Sequence, residues 1–140
     1  MTRRLLLAAM QSLPFLWHHS RVQLRCVMVD DDDAFLDVAR ALLEQEGVTV
    51  AGVAGNCAEA VERARALRPD VVLIDIRLGD ESGFDAARLL AAEGPAAALI
   101  MISTHRETDY AELIDESPAI GFLNKTDLSA AAIHRLLAAA

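Results

Sequence analysis

Residues 71–75 read Val-Val-Leu-Ile-Asp, four strongly apolar residues followed directly by a carboxylate. Because no polar residue alternates with the apolar ones, this segment is predicted to be a strand buried on both faces, as in parallel sheets. Three other apolar runs also end in polar residues that could serve one site: residues 27–29 before Asp30 and Asp31, residues 99–102 before Ser103, and residues 121–124 before Lys125. Parallel strands joined by helices end at one edge of the sheet, so we expect these polar side chains to converge there.

The pattern around this strand predicts five βα repeats. Predicted strands cover residues 25–29, 49–54, 71–74, 97–102 and 119–123, and predicted helices cover residues 33–46, 57–67, 83–93, 107–116 and 127–137 or 129–137. Strands that alternate with helices of this length indicate an α/β, doubly wound, five-stranded parallel sheet of the flavodoxin-like kind, with strand order 2-1-3-4-5. In the first helix, Phe35, Val38, Ala39, Leu42 and Leu43 are predicted to form the face that packs on the sheet.

Composition and charge restrict the class of protein. The 140 residues suit one domain, and no run reaches the ~20 apolar residues that a membrane-spanning helix needs. Residues 1–25 carry four arginines and no acid, so a net charge of −8 leaves −12 on residues 26–140. Such an acidic body argues against direct nucleic-acid binding. Cys26 and Cys57 have no ligand or redox spacing and are interpreted as reduced core residues of a cytoplasmic protein.

Residues 1–24 differ from the rest of the chain. They combine a basic start with two short apolar patches, and no small-residue cleavage site follows them. Three interpretations stay open: a non-native extension, a disordered or partner-binding tail, and a weak membrane anchor. The domain itself is predicted to occupy residues 25–140.

The three carboxylates at strand ends suggest a metal site. Asp30, Asp31 and Asp75 supply the hard oxygen ligands that Mg²⁺ prefers. Asp32 and Asp33 have a simpler explanation, since acidic residues stabilise a helix N-terminus. That explanation leaves out Asp75, because a carboxylate at the end of an apolar strand needs partners.

The same residues suit phosphoryl transfer. Asp75 is the candidate nucleophile, and Lys125, the only lysine in the chain, would balance charge on the phosphoryl oxygens. Asp31 would bind the metal directly, Asp30 through water, and the Arg77 backbone carbonyl would be a further ligand. Ser103 would donate a hydrogen bond to the phosphoryl group; a register slip of one residue would give that role to Thr104.

Four motifs together resemble the receiver domain of two-component response regulators. They are Val29-Asp30-Asp31, Leu73-Ile74-Asp75 with Gly83, Ile102-Ser103, and Gly121-Phe122-Leu123 with Lys125. The resemblance covers about residues 25–139, and its local texture is closest to receivers of LuxR-type regulators. Two positions depart from the family pattern: Gly79 replaces a common proline, which predicts a looser loop after Asp75, and Thr126 replaces a frequent cis-proline after the lysine.

The resemblance implies a phosphorylation switch. A sensor histidine kinase or a phosphotransfer protein would phosphorylate Asp75, after which Ser103 turns toward the phosphoryl group and Phe122 swings inward. The signal would reach a downstream protein through the face formed by helix 4, strand 5 and helix 5; phosphorylation-dependent dimerisation stays open. Arg77 and His105, two positions after the acceptor and the hydroxyl, are expected to tune the lifetime of the aspartyl phosphate.

Two other functions fit these residues less well than the switch. A Mg²⁺-dependent phosphohydrolase with an Asp nucleophile would usually carry an acid two residues after it, where this chain has Arg77. A phosphorylation-independent scaffold would not need the acidic pair, the acceptor, the hydroxyl and the lysine together. We therefore expect a stand-alone signalling domain, not an enzyme, that requires Mg²⁺ and acts by protein contact.

Overall fold

The computed structural model describes residues 23–94 and 97–140. Five parallel strands form one sheet in the order β2-β1-β3-β4-β5. They are β1 (Arg25–Val29), β2 (Thr49–Ala54), β3 (Val71–Asp75), β4 (Ala98–Ser103) and β5 (Gly121–Asn124). This confirms the predicted fold class and strand order. The prediction for residues 1–24 falls almost wholly outside the described residues.

Within the described residues, five α-helices connect and flank the strands. They are α1 (Asp33–Gln45), α2 (Cys57–Leu67), α3 (Gly83–Ala92), α4 (Ala111–Glu116) and α5 (Ala130–Ala139). Side-chain caps start four of them, because an N-cap oxygen satisfies a free N–H of the first turn. Asn56 caps α2, since its Oδ1 accepts the Glu59 N–H at 2.9 Å.

Helices cover both faces of the sheet. Helices α2, α3 and α4 pack on one face, where the cluster includes Val72, Ile74 and Phe122. Helices α1 and α5 pack on the other face, around Leu73 and Ile133. Residues 71–74 have no exposed surface, as the uninterrupted apolar pattern predicted. Within the described ranges, no helix is both long and apolar enough to cross a membrane.

Two local predictions were wrong. In α1, the buried residues are Leu36, Ala39 and Leu43, whereas Val38 is 69% exposed. The helix turns about 100° per residue, so burying Leu36 rotates Val38 to the solvent side. The fourth helix also starts later than predicted, because residues 107–109 form a separate 3₁₀ turn before α4.

The segment between β3 and α3 forms a short antiparallel hairpin. Its strands are Arg77–Leu78 and Glu81–Ser82, and Gly79 has a φ of +63° at the first position of the two-residue turn. Proline cannot adopt that φ, whereas glycine can, so Gly79 suits this regular two-residue turn. The loop was predicted to be looser, but its backbone is paired.

Candidate functional site

The strand ends bring three carboxylates together. β1 and β3 are neighbours with Val29 opposite Ile74, so the residues that follow them meet at one edge of the sheet. One oxygen from each of Asp30, Asp31 and Asp75 lies within 4.8 Å of the others. Asp30 is fully buried, the Asp75 side chain is 13% exposed and Asp31 is exposed. The predicted acidic cluster is therefore present; we call this carboxyl-terminal end of the sheet the acidic edge.

Lys125 reaches the same cluster from the end of β5. Its Nζ lies 2.7 Å from Asp30 Oδ2 and 3.6 Å from Asp75 Oδ2, with the lysine side chain 10% exposed. At these distances and this burial, charge interactions are much stronger than at a protein surface. One ammonium thus faces three carboxylates, and the cluster keeps an excess of negative charge.

Asp30 has one satisfied and one incompletely satisfied oxygen. Its Oδ1 accepts the Asp32 N–H at 2.9 Å. Its Oδ2 is close to the Lys125 ammonium, but the angle between them is not that of a hydrogen bond, and no other described donor binds it. A buried carboxylate oxygen without a well-directed donor is costly, and a bound cation would satisfy it.

The surroundings of Asp75 also favour a cation. Burial raises the pKa of Asp75 to about 6, and the nearby charges of Asp30 and Asp31 add to this rise. The Lys125 ammonium and the Arg77 N–H act in the opposite direction. Like charges held this close disfavour the ionised form of Asp75 unless a counter-charge is present. The donor set therefore fits a divalent, oxygen-binding cation such as Mg²⁺.

Ser103 ends β4 beside this cluster. Its hydroxyl is buried and accepts the His105 N–H at 2.9 Å, while the His105 Nδ1 lies 3.5 Å away. The pairing of Ser103 with Asn124 fixes the strand register, and Thr104 is exposed. Within the described ranges, the Ser103 hydroxyl makes no hydrogen bond to Asp75. Of the two hydroxyls considered from the sequence, the buried one is Ser103.

The side chains of Phe122 and Arg77 lie in different surroundings: the first is in the core and the second is at the surface. Phe122 is 8% exposed and belongs to the core beside α3 and α4. The Arg77 side chain is exposed in the hairpin, and its backbone N–H acts to lower the pKa of the Asp75 carboxyl. Its carbonyl as a metal ligand, and the movement of Phe122, stay predictions.

Sequence reasoning missed Asn124, which organises the turn around Lys125. Its Oδ1 accepts the Thr126 N–H at 3.0 Å and the Thr126 hydroxyl at 2.9 Å, capping the 3₁₀ turn Lys125–Asp127. Its Nδ2 donates to the His105 carbonyl at 3.1 Å. A proline at position 126 would have no N–H to donate. An Asn directly before a short helical turn is a capping signal, but its bond to His105 depends on tertiary contact.

Comparison with known proteins gives a consistent result. A family model described as the response regulator receiver domain matches residues 26–137. The chain is 34% identical over 106 residues to the transcriptional regulatory protein MctR of Rhizobium johnstonii, covering 75% of this chain and 50% of that protein. It is 33% identical over 109 residues to the transcriptional regulatory protein LnrK of Bacillus subtilis, covering 76% and 49%. The chain thus spans about half the length of these two relatives.

Solved structures agree with the sequence comparisons. A two-component response regulator of the LuxR family from Aurantimonas sp. SI85-9A1 superposes with a TM-score of 0.74 at 26% identity, covering 84% of each chain. The resemblance to receivers of LuxR-type regulators noted in the sequence thus agrees with the similarity to this solved structure.

Proposed function

The chain belongs to the response regulator receiver family of two-component signalling, and from that premise we propose that Asp75 accepts a phosphoryl group from a sensor histidine kinase or a phosphotransfer protein. The observation that carries the proposal is the position of Asp75 beside both the buried Asp30 and the Lys125 ammonium, at the end of a buried strand. That combination gives the carboxylate a fixed orientation and a counter-charge.

The transfer itself asks little of the protein beyond alignment and charge balance. A carboxylate oxygen of Asp75 attacks phosphorus, the P–N bond to the donor imidazole breaks, and the electron pair leaves with that imidazole. Asp30, Asp31, Asp75 and the Arg77 carbonyl would hold Mg²⁺, which neutralises phosphoryl oxygens when bound. The Arg77 N–H favours the ionised form of the acceptor carboxylate, and the positively charged Lys125 Nζ lies 3.6 Å from it.

A phosphoryl group on Asp75 would compete for the Ser103 hydroxyl. That hydroxyl now accepts from the His105 N–H, so turning it toward the phosphoryl group releases the start of the loop before α4. The rearrangement would reach Phe122 and the face formed by α4, β5 and α5, where we propose that a downstream protein binds. Two arrangements of one loop, selected by charge at Asp75, make a switch.

The acceptor assignment is tested by incubating the full chain with Mg²⁺ and acetyl phosphate and measuring the intact mass. We expect a gain of one phosphoryl group that is lost in Asp75→Asn and kept in Asp80→Asn, a matched change at an exposed hairpin acid. No gain in the wild-type chain would favour the phosphorylation-independent scaffold. A gain that survives in Asp75→Asn would reject Asp75 as acceptor.

We further propose that Arg77 and His105 slow hydrolysis of the aspartyl phosphate by restricting water. Arg77 starts the hairpin two residues after the acceptor, and His105 packs edge-on against Tyr110, with ring centroids 6.1 Å apart. Arg77→Ala and His105→Ala should each shorten the half-life of the phosphorylated chain. Half-lives equal to that of the wild-type protein in both variants would reject this role.

A further inference from the structure

The ring of Phe35 faces the Lys125 ammonium. Phe35 lies in the first turn of α1, and Lys125 Nζ lies 4.2 Å from the centroid of its ring. A cation at this distance over an aromatic face is attracted by the ring quadrupole. From this geometry we infer that Phe35 is a positioning residue that holds the Lys125 ammonium at the acidic edge.

The contact with Phe35 restrains the flexible side chain of Lys125. A lysine stem has four rotatable carbons, and the two carboxylates compete for its charge at 2.7 Å and 3.6 Å. The Phe35 ring adds a third attractive contact that is independent of either carboxylate. Because the lysine side chain is 10% exposed, little water screens this contact, which strengthens the attraction.

A purely structural role for Phe35 is the competing explanation. The residue is half-buried and packs against the apolar cluster beneath α1 and α5. Leucine would supply similar apolar volume, but it has no π face. Changing the electron density of the ring while its volume stays nearly constant therefore separates the two explanations.

The consequence for activity rests on the proposed function. If Lys125 balances charge on the incoming phosphoryl group, then a ring that holds the ammonium in place should speed phosphorylation of Asp75. Weakening the negative charge on the face of the Phe35 ring should slow phosphorylation of Asp75 progressively, since the ammonium then samples other positions.

The first experiment does not depend on phosphorylation. Lys125 is the only lysine, so ¹³C labelling of lysine at Cε gives a single NMR signal from the full chain. We expect its Hε resonance to lie upfield of free lysine because of the Phe35 ring current, and to return downfield in Phe35→Leu. Phe35→Tyr should keep the upfield position. A wild-type resonance at the free-lysine position would overturn the inference.

The second experiment measures function. Phenylalanine, 4-fluoro-, difluoro- and trifluorophenylalanine are placed at position 35, and the rate of phosphorylation by acetyl phosphate with Mg²⁺ is compared. We expect a stepwise fall, reaching about 3-fold for the trifluoro ring, the size of a modest cation–π contact. The phosphorylation rate of Phe35→Leu should be lower than that of the wild-type chain by a similar factor, while the rate of Phe35→Tyr should stay near the wild-type rate.

The outcomes separate this inference from the proposed function. Equal rates across the fluorinated series, with a wild-type chain that accepts phosphoryl groups, would overturn the positioning role alone. A wild-type chain that shows the ring-current shift but accepts no phosphoryl group would overturn the proposed function and leave the contact between Phe35 and Lys125 standing. Should Phe35→Leu fail to fold, the fluorinated chains still decide.

Discussion

The two ends of the sheet differ in how well their charged groups are paired. At the acidic edge, three carboxylates face one ammonium, and the buried Asp30 Oδ2 has no well-directed hydrogen bond from any described residue. At the other end, which we call the opposite edge, Asp70 Oδ2 accepts the Arg25 N–H at 2.9 Å, and the Arg25 guanidinium donates to the carbonyls of Leu67 and Arg68 at 2.7 and 3.1 Å. Both edges are made by the same strands.

The difference separates what the fold needs from what the site needs. The opposite edge pairs its charges with backbone groups, so it contributes to stability without any ligand. The acidic edge keeps like charges together at a cost in folding free energy, which a bound cation or a phosphoryl group would change. Such a cost is typical of sites where function, rather than stability, determines the residues.

The largest loss of folding stability is expected at Gly83, where the acidic edge leaves no room for a side chain. A Cβ at Gly83 would lie 1.9 Å from the Asp75 carbonyl oxygen, a backbone atom that cannot move aside cheaply. Gly83→Ala should therefore lower the free energy of unfolding by at least about 4 kcal/mol, or prevent folding. At the opposite edge, a Cβ at Gly47 meets nothing within 4 Å, and only its φ of +94° is unfavourable. Gly47→Ala should cost about 1–2 kcal/mol.

Chemical denaturation of both variants measures this contrast. Equal losses at Gly83 and Gly47 would contradict the argument that the Asp75 backbone leaves no room for a side chain at position 83.

The hairpin at the acidic edge gives the next largest effect. Gly79→Pro would force φ from +63° to about −65° and should cost about 3 kcal/mol. The opposite edge has its own left-handed residue, Arg68, with φ +49°. Arg68→Gly removes that strain and should raise stability by up to about 1 kcal/mol. Thermal unfolding of the two variants should therefore shift in opposite directions; a Gly79→Pro chain as stable as the wild type would contradict the hairpin geometry.

Removing one carboxylate should have opposite signs at the two edges. In a metal-free buffer with chelator, Asp75→Asn removes a carboxylate that is disfavoured by burial and by repulsion, and it should raise stability at pH 7.5 by about 2 kcal/mol. Asp70→Ala removes an acceptor for a backbone N–H and should lower stability by about 1 kcal/mol.

The pH dependence of this gain follows from the direction of the shift. The folded pKa of Asp75 is about 6, above the unfolded value of 3.8, so the folded state binds more protons between these values. The stability that this group contributes is complete below about pH 4 and is lost as pH rises through 6. The advantage of Asp75→Asn should therefore appear over that window. A difference between the two chains that is the same at pH 4 and pH 7.5 would refute the repulsion argument.

The smallest effect is expected at the cap of the Lys125 turn. Asn124→Ala removes the acceptor for the Thr126 N–H and should cost about 1 kcal/mol in urea denaturation. Asn124→Ser keeps a capping oxygen while losing the amide donor to His105, so it should recover most of that stability. Identical losses in both variants would assign the effect to the bond with His105 instead.

Much of the fold followed from local pattern. The uninterrupted apolar residues of β3 have one favoured structure, so the sequence predicted the strand correctly, whereas the loop at Gly79 was predicted to be looser than the paired hairpin that forms there. The core face of α1 was read wrongly because Val38 and Leu42 look as apolar as Leu36. Only the position of the helix on the sheet decides which of them is buried.

The site divides in the same way. Asp30, Asp31, Asp75, Ser103 and Lys125 stand directly at strand ends, and the edge rule for parallel sheets predicted that they converge. The sequence did not reveal the roles of Asn124 and Phe35 at the site. Asn124 donates a hydrogen bond to the loop before α4, and Phe35 faces the side chain of Lys125, 90 positions away in the chain. Their chemistry depends on which groups surround them.

The sequence alone determined the alternation of strands and helices, and with it the carboxylates, hydroxyl and lysine at one edge of a parallel sheet. The tertiary structure decided how their charges are shared: an ammonium closer to Asp30 than to Asp75, a hydroxyl held by the His105 N–H, and an aromatic ring over the lysine. The physical reason is range. Strand and helix patterns repeat within a few residues, whereas electrostatic interactions depend on distances and burial that exist only after distant segments have packed.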